Sequence, residues 1–201
     1  MGSRVDGVLL DLLMGVMNSL DTWTAAAGDP GRGLEWRDAV TARMVAAGAY
    51  TPYERLLADA ASALDLAPTA PTDLVDRWAD MAPWPDAAAI RRLDVPFGFV
   101  TNCSSRLARV AAERSGLVPS FVLSAEEAGW FKPDARVYRE ACRRLGTAPG
   151  RTAFIAGSPY DAAGASAAGL RTWLVRRRAD QPASVESVSV AVSLDEVVES
   201  L

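Results

Sequence analysis

The sequence predicts an α/β protein, a doubly wound parallel sheet with an inserted α-helical segment, and three observations lead to it. The first is a short apolar run near the start, residues 5–15, which contains Asp11. Apolar runs of this kind, buried on both faces, form the central strands of parallel sheets. The second is the alternation of short apolar runs with helical patterns from Val95 onward, the mark of strand–helix–strand crossovers. The third is the stretch 19–84, which lies between two strand-like runs and reads almost entirely as helix. The division that follows is a core domain, 1–18 and 85–201, interrupted by a helical domain, 19–84. Met1-Gly2-Ser3 reads as a cloning remnant ahead of the first strand.

Each element has its own local reason. Residues 18–27 read as helix, ended by Gly28-Asp29-Pro30-Gly31. A second helix starts near Leu34, carries Trp36, Arg37, Val40 and Met44, and ends about Gly48. Thr51 or Pro52 starts a third that runs to Ala63, and Pro71-Thr72-Asp73 starts a fourth over 74–81, proline being tolerated in the first helical turn. Pro83-Trp84-Pro85 breaks the helical pattern. Strands are expected at 96–102, 121–124, 152–156 and 171–176, with helices at 104–115, 135–145 and 162–168 between them. Arg176-Arg177-Arg178 reads as a solvated strand end, and 187–192 as a weak edge strand before a final helix.

Composition removes whole classes of function. The 201 residues are half apolar with a net charge of −4, enough for one sizeable core and without the basic stripe that nucleic acid requires. No apolar stretch is long enough to span a bilayer, and the first run lacks a basic leader. Two cysteines, Cys103 and Cys142, make neither a disulfide framework nor a metal spacing, which suits a cytoplasmic protein with reduced thiols. Histidine is absent, so no Ser-His-Asp or Cys-His site and no His-ligated zinc site can be built.

An ionised carboxylate is costly to bury unpaired, so Asp11 must reach a polar place; the bland alternative is a capping role. Open parallel sheets bind ligands at the carboxyl ends of their strands. Three strand ends offer polar groups there: Asp11, Thr101-Asn102 and 158–161, and the segment Gly129-Trp130-Phe131-Lys132-Pro133-Asp134 adds a lysine just before a helix. A carboxylate beside a lysine, a hydroxyl, an amide and a second carboxylate suits covalent catalysis, with Lys132 keeping Asp11 ionised.

These residues resemble the haloacid dehalogenase (HAD) superfamily. The strongest likeness is Phe131-Lys132-Pro133-Asp134-Ala135-Arg136-Val137-Tyr138, which is similar to the family's Lys-Pro-Asp-x-Arg-x-Tyr segment; Val100-Thr101-Asn102 resembles its second motif. Asp11 falls where the family's nucleophile lies, and 19–84 where its cap domain inserts. Within the superfamily the chain looks most like the metal-independent 2-haloacid dehalogenases. Leu13 stands where the phosphatases carry a second aspartate, and the turn 156–161 holds one acid, Asp161, rather than a pair. Trp36-Arg37 lies in the early cap, where the dehalogenases carry a Trp-Arg pair.

The resemblance implies hydrolysis of a small 2-substituted carboxylic acid through an aspartyl ester. It makes Asp11 the nucleophile, Arg37 the residue that meets the leaving halide, and Asp161 with Lys132 the pair that activates water. Thr101, Asn102, Tyr138, Ser158 and Tyr160 become substrate-binding residues. It implies no cofactor, a small anionic substrate, no nucleic-acid or membrane partner, and a homodimer. The chain departs from the family's pattern at Leu13, Gly15, Ala156, Gly157, Ser158 and Tyr160. Two alternatives stay open: a Mg²⁺-dependent phosphatase of the same superfamily, and a non-catalytic relative that binds a ligand or partner protein.

Overall fold

The computed structural model describes residues 4–201; Met1-Gly2-Ser3, expected as a cloning remnant, lie outside the described residues. Six strands form one parallel sheet: β1 (Gly7–Asp11), β2 (Phe97–Thr101), β3 (Val122–Ser124), β4 (Thr152–Ala156), β5 (Arg171–Val175) and β6 (Ser189–Ala191). Their order is β3-β2-β1-β4-β5-β6. The chain therefore steps outward from β1 in both directions, and the switch point lies at the carboxyl end of β1, where such sheets bind ligands. Register places Asp11 beside Val100 and Leu10 beside Ile155. The carboxyl ends of β1, β2 and β4 thus come out side by side.

All five residues of β1 are buried, as are all five of β4. Successive strand side chains point to opposite faces, and the apolar clusters follow that rule. Val8, Leu10, Ala153 and Ile155 belong to one cluster, whereas Leu9, Phe154 and Ala156 belong to the other. The second cluster is closed by α7 (Ala135–Leu145) and α8 (Pro159–Ala167), through Val137, Tyr138, Ala141, Ala162 and Ala165. The first runs without a break into the helices between β1 and β2, taking in Trp36, Leu57 and Leu74.

Those helices are α1 (Leu20–Ala27), α2 (Pro30–Ala47), α3 (Tyr53–Ala63) and α4 (Ala70–Asp76). The segment 28–31, expected only as a helix end, also starts the next helix. Gly28 leaves α1 with φ 75°, Asp29 accepts from Arg32 N at 2.9 Å as the cap of α2, and Pro30 takes its first turn. Helices α1 and α2 meet at Gly33, where an added Cβ would lie 2.8 Å from Thr24 N. Trp23 and Trp36 pack edge to face across the same contact, 4.8 Å apart. Where the chain leaves and re-enters the sheet it pairs with itself: Met17 bridges Pro83, and Asn18 N donates to Ala82 O at 2.9 Å.

The remaining helices are α5 (Ser105–Arg114), α6 (Ala125–Ala128) and α9 (Leu194–Ser200). Three differences from the sequence expectation matter. Helix α8 begins at Pro159 rather than Ala162, with Ser158 in extended backbone ahead of it and a proline, suited to the first helical position, opening it. The fourth inserted helix starts at Ala70 and tightens into a 3₁₀ turn over Arg77–Asp80. A π-helical turn, Leu12–Val16, follows β1 directly. No helix among the described residues is long and apolar enough to cross a membrane.

Candidate active site

At the carboxyl end of the sheet a buried ammonium lies between two carboxylates. Lys132 Nζ donates to Asp11 Oδ1 at 2.9 Å, to Asp161 Oδ2 at 2.6 Å and to Val100 O at 3.2 Å, so all three of its donors are used. Lys132 and Asp161 are each 1% exposed and Asp11 is 6% exposed. The lysine is placed by its neighbours. Phe131 is buried in front of it, Asp134 caps α7 behind it, and Asn102 grips its backbone from both sides. Asn102 Nδ2 donates to Lys132 O at 2.9 Å, while Asn102 Oδ1 accepts from Lys132 N at 2.8 Å. Tyr138, on α7, donates its hydroxyl to Asp161 Oδ1 at 2.6 Å.

Burial alone would depress the Lys132 ammonium, but Asp11 and Asp161 outweigh it and hold it above the usual lysine range. Burial pushes the Asp161 carboxyl up to about 6, against the pull of Lys132. Burial, with Asp161 beside it, holds the Tyr138 hydroxyl well above the ordinary phenol range. The donor set does not fit a resident Mg²⁺. An ammonium already bridges the two carboxylates, and no group of three or more His, Cys, Asp or Glu among the described residues could hold a metal ion; Mg²⁺ asks for an octahedral set of oxygens.

In front of Asp11 lies a cavity of about 40 Å³, lined by Leu13, Met14, Trp23, Arg37, Tyr53 and Tyr160 among others. A single water needs about 10–15 Å³ of such space, so the space in front of Asp11 takes about three water-sized groups. Asp11 Oδ2 has no hydrogen-bond partner among the described residues, in contrast to Oδ1. Arg37 reaches in from α2, donating through Nη2 to Ser158 Oγ at 3.2 Å and through Nη1 to Asp38 Oδ1 at 3.0 Å. A second chamber of about 200 Å³ shares Met14, Arg37, Ser158 and Tyr160 with the first and extends toward Arg178 and Gln181.

The turn that follows Asp11 is clamped by residues far away in sequence. Trp84 Nε1 donates to Met14 O at 2.9 Å, Arg177 Nη2 to Gly15 O at 2.7 Å, and Trp84 N to Val16 O at 2.9 Å. Arg177 is itself held by Asp86 at 2.8 Å and lies 5.0 Å from the centre of the Trp84 ring. The sequence reading of Arg177 as a solvated strand end is therefore corrected: its side chain is 6% exposed, because three carbonyls of an irregular turn need donors. Gly157 presses on the same turn. An added Cβ would lie 2.4 Å from the Met14 carbonyl carbon and 2.5 Å from Gly15 N.

Of the residues singled out from sequence, Asp11, Arg37, Asn102, Ser158 and Tyr160 line the cavity together. Lys132, Asp161 and Tyr138 stand one layer behind it, bonded to Asp11 or to each other. The expectation that Thr101 and Tyr138 touch substrate meets a different placement. Thr101 is fully buried with its hydroxyl against Cys103 Sγ at 3.6 Å, and the Tyr138 hydroxyl is turned to Asp161. Sequence reasoning missed Tyr53 and Thr41 on the cavity wall and the Trp84–Arg177 clamp. No spacing signal marks them, since each acts through a contact between distant segments.

Comparison with known proteins finds a family and a shared fold. The profile of the haloacid dehalogenase-like hydrolase family matches residues 5–169. Among curated proteins, (S)-2-haloacid dehalogenase 4A of Burkholderia cepacia is 29% identical over 115 residues, 54% of this chain and 50% of that protein. The (S)-2-haloacid dehalogenase of Pseudomonas putida is 31% identical over 111 residues, 52% of this chain and 49% of that protein. The chain thus spans about half the length of the curated relatives it matches. The fold is that of the L-2-haloacid dehalogenase from Xanthobacter autotrophicus solved with chloropropionic acid covalently bound, with TM-score 0.81, 18% identity and 98% of both chains covered. A HAD phosphatase from Thermococcus onnurineus shares the fold at TM-score 0.65 and 17% identity over 96% of both chains. With the family profile covering most of its length, the chain belongs to the haloacid dehalogenase-like hydrolases.

Proposed function

We propose that this protein hydrolyses small 2-substituted carboxylic acids, 2-haloacids first among them, through an ester on Asp11. One observation carries the reading. Asp11 has one oxygen held by a buried ammonium at 2.9 Å and the other without a partner, at a cavity shared with Arg37. Lys132 keeps the carboxylate ionised and fixed, as a nucleophile requires. Asp11 Oδ2 attacks the carbon bearing the halogen, and the halide leaves with the bonding pair toward Arg37, whose guanidinium is always charged and weakly hydrated.

Water then attacks the Asp11 carbonyl carbon. Its proton goes to Asp161, which is ionised near neutrality and, with its carboxyl pushed up to about 6, basic enough for the task. The Asp161 oxygens each accept one bond, from Lys132 and from Tyr138, and each retains a further lone pair. The carbonyl–alkoxide bond breaks, the alkoxide takes the proton left on the new Asp11 carboxyl, Asp161 gives its own to solvent, and a 2-hydroxy acid departs. Under this proposal residues 19–84 are the cap that closes one side of the site, and the protein is a cytoplasmic, cofactor-free homodimer.

The test is Asp11→Asn with halide release as the readout. We expect a loss on the order of 10⁴-fold or more; release at the parent rate would show that Asp11 is not the nucleophile. A single turnover in ¹⁸O water should place the label first in the Asp11 carboxylate.

A further inference from the structure

Among the polar side chains of the cavity that take no part in the chemistry above is a phenol, Tyr53. Tyr53, the first residue of α3, is 2% exposed and lines the cavity with Asp11, Arg37 and Asn102. Its hydroxyl has no hydrogen-bond partner among the described residues, while its backbone N–H donates to the Tyr50 hydroxyl at 3.3 Å. The hydroxyl meets the open space of the cavity rather than closed protein, so an acceptor that enters there can take its bond.

The ring is fixed over one place. Glu54, the next residue, accepts from Ser104 Oγ at 2.7 Å and lies 3.7 Å from Arg106, which ties the start of α3 to the start of α5. Tyr53 also packs edge to face on Trp78 at 6.1 Å, and Trp78 Nε1 donates to Leu107 O on α5 at 3.0 Å. The phenol therefore sits by the turn 101–104, where the Thr101 hydroxyl lies against Cys103 and the Asn102 carboxamide bonds the Lys132 backbone through both its oxygen and its nitrogen. Burial holds the Tyr53 hydroxyl well above the ordinary phenol range, so it remains a donor.

We infer that Tyr53 is a specificity-determining residue whose O–H donates to the carboxylate of the substrate, selecting free acids over their amides and esters. The inference deepens the proposed function, resting on it only in that the guest is a small acid. A hydrogen bond to a charged carboxylate is roughly twice as strong as one to the neutral carbonyl of an amide or ester.

The test is Tyr53→Phe, which keeps the ring on Trp78 and removes only the hydroxyl. The parent and the variant are titrated with propionate and with propionamide, neither of which carries a leaving group. The parent should prefer propionate, and the variant should bind it about tenfold to a hundredfold more weakly, the worth of one hydrogen bond to a charged group, with propionamide binding much less affected. Equal propionate affinity in parent and variant, or a parent that does not prefer propionate, overturns the inference. Halide release is measured separately on the parent. Tyr53-dependent propionate binding without halide release would sink the dehalogenase reading and leave this assignment standing.

Discussion

On the sheet side of the cavity, the polar atoms around Lys132 are paired, save the Asp11 oxygen that faces the cavity; on the helix side donors are left over. The ammonium has three acceptors, Asp161 has a donor on each oxygen, and Asn102 uses both ends of its carboxamide. Opposite them, the Tyr53 hydroxyl has no partner among the described residues, and Arg37 divides itself between Ser158 and a half-exposed Asp38. The difference separates two tasks. A group that must stay charged in a dry site needs a complete shell, since one missing partner there costs several kcal/mol. A wall that recognises a guest must keep donors in reserve.

The comparison breaks most visibly at Lys132. Lys132→Met leaves two buried carboxylates facing each other without a cation and should destabilise the fold by about 3–5 kcal/mol. The urea midpoint measures this, and the variant should regain stability on acidification as the carboxylates take up protons. A variant as stable as its parent at neutral pH would show that the matched shell is not needed.

Tyr138→Phe tests the same shell more gently. It removes one hydrogen bond to a carboxylate, worth about 1.5–3 kcal/mol. The pH response sharpens the test, because that bond pulls the Asp161 carboxyl down while burial pushes it up to about 6. Protonated Asp161 cannot take a proton from water, so parent turnover should fall as pH drops through about 6. In the variant the falling limb should move to higher pH. The linkage to stability has the opposite sign: a carboxyl raised on folding contributes stability below its unfolded value, near 3.9, and that contribution is lost as pH rises through about 6. An unmoved limb in the variant would separate the Asp161 proton from turnover.

The smallest expected effect lies at the join between the two sides. In Gly157→Ser the added Cβ would lie 2.4 Å from the Met14 carbonyl carbon. Overpacking of that kind costs about 1–3 kcal/mol, and halide release should drop as the turn after Asp11 shifts. A serine accommodated without loss, by thermal unfolding and by rate, would show that the turn is not held where the Trp84 and Arg177 donors place it.

Much of the site could be read in advance where a short segment carries its own instructions. The run 5–15 specifies a buried strand with a carboxylate at its end, and the segment 131–138 specifies a lysine ahead of a capped helix. Each is local, so each is legible. The turn after Asp11 is not, because Leu12-Leu13-Met14-Gly15-Val16 has no propensity that marks a π-helical turn. Its shape depends on donors from Trp84 and Arg177 and on the bare backbone of Gly157.

By itself, then, the order of residues determined the parallel sheet, the helical insertion and the pairing of Asp11 with Lys132, because periodicity, capping and charge act over a few neighbours or through strand ends that topology must bring together. Only the tertiary structure decided which polar groups face the cavity and which stand behind it. It turned Thr101 toward Cys103 and Tyr138 toward Asp161, and set Tyr53 on the wall. The physical reason is that a side chain's free donors are what remains after its distant neighbours have taken theirs, and those neighbours are known only once the chain has folded.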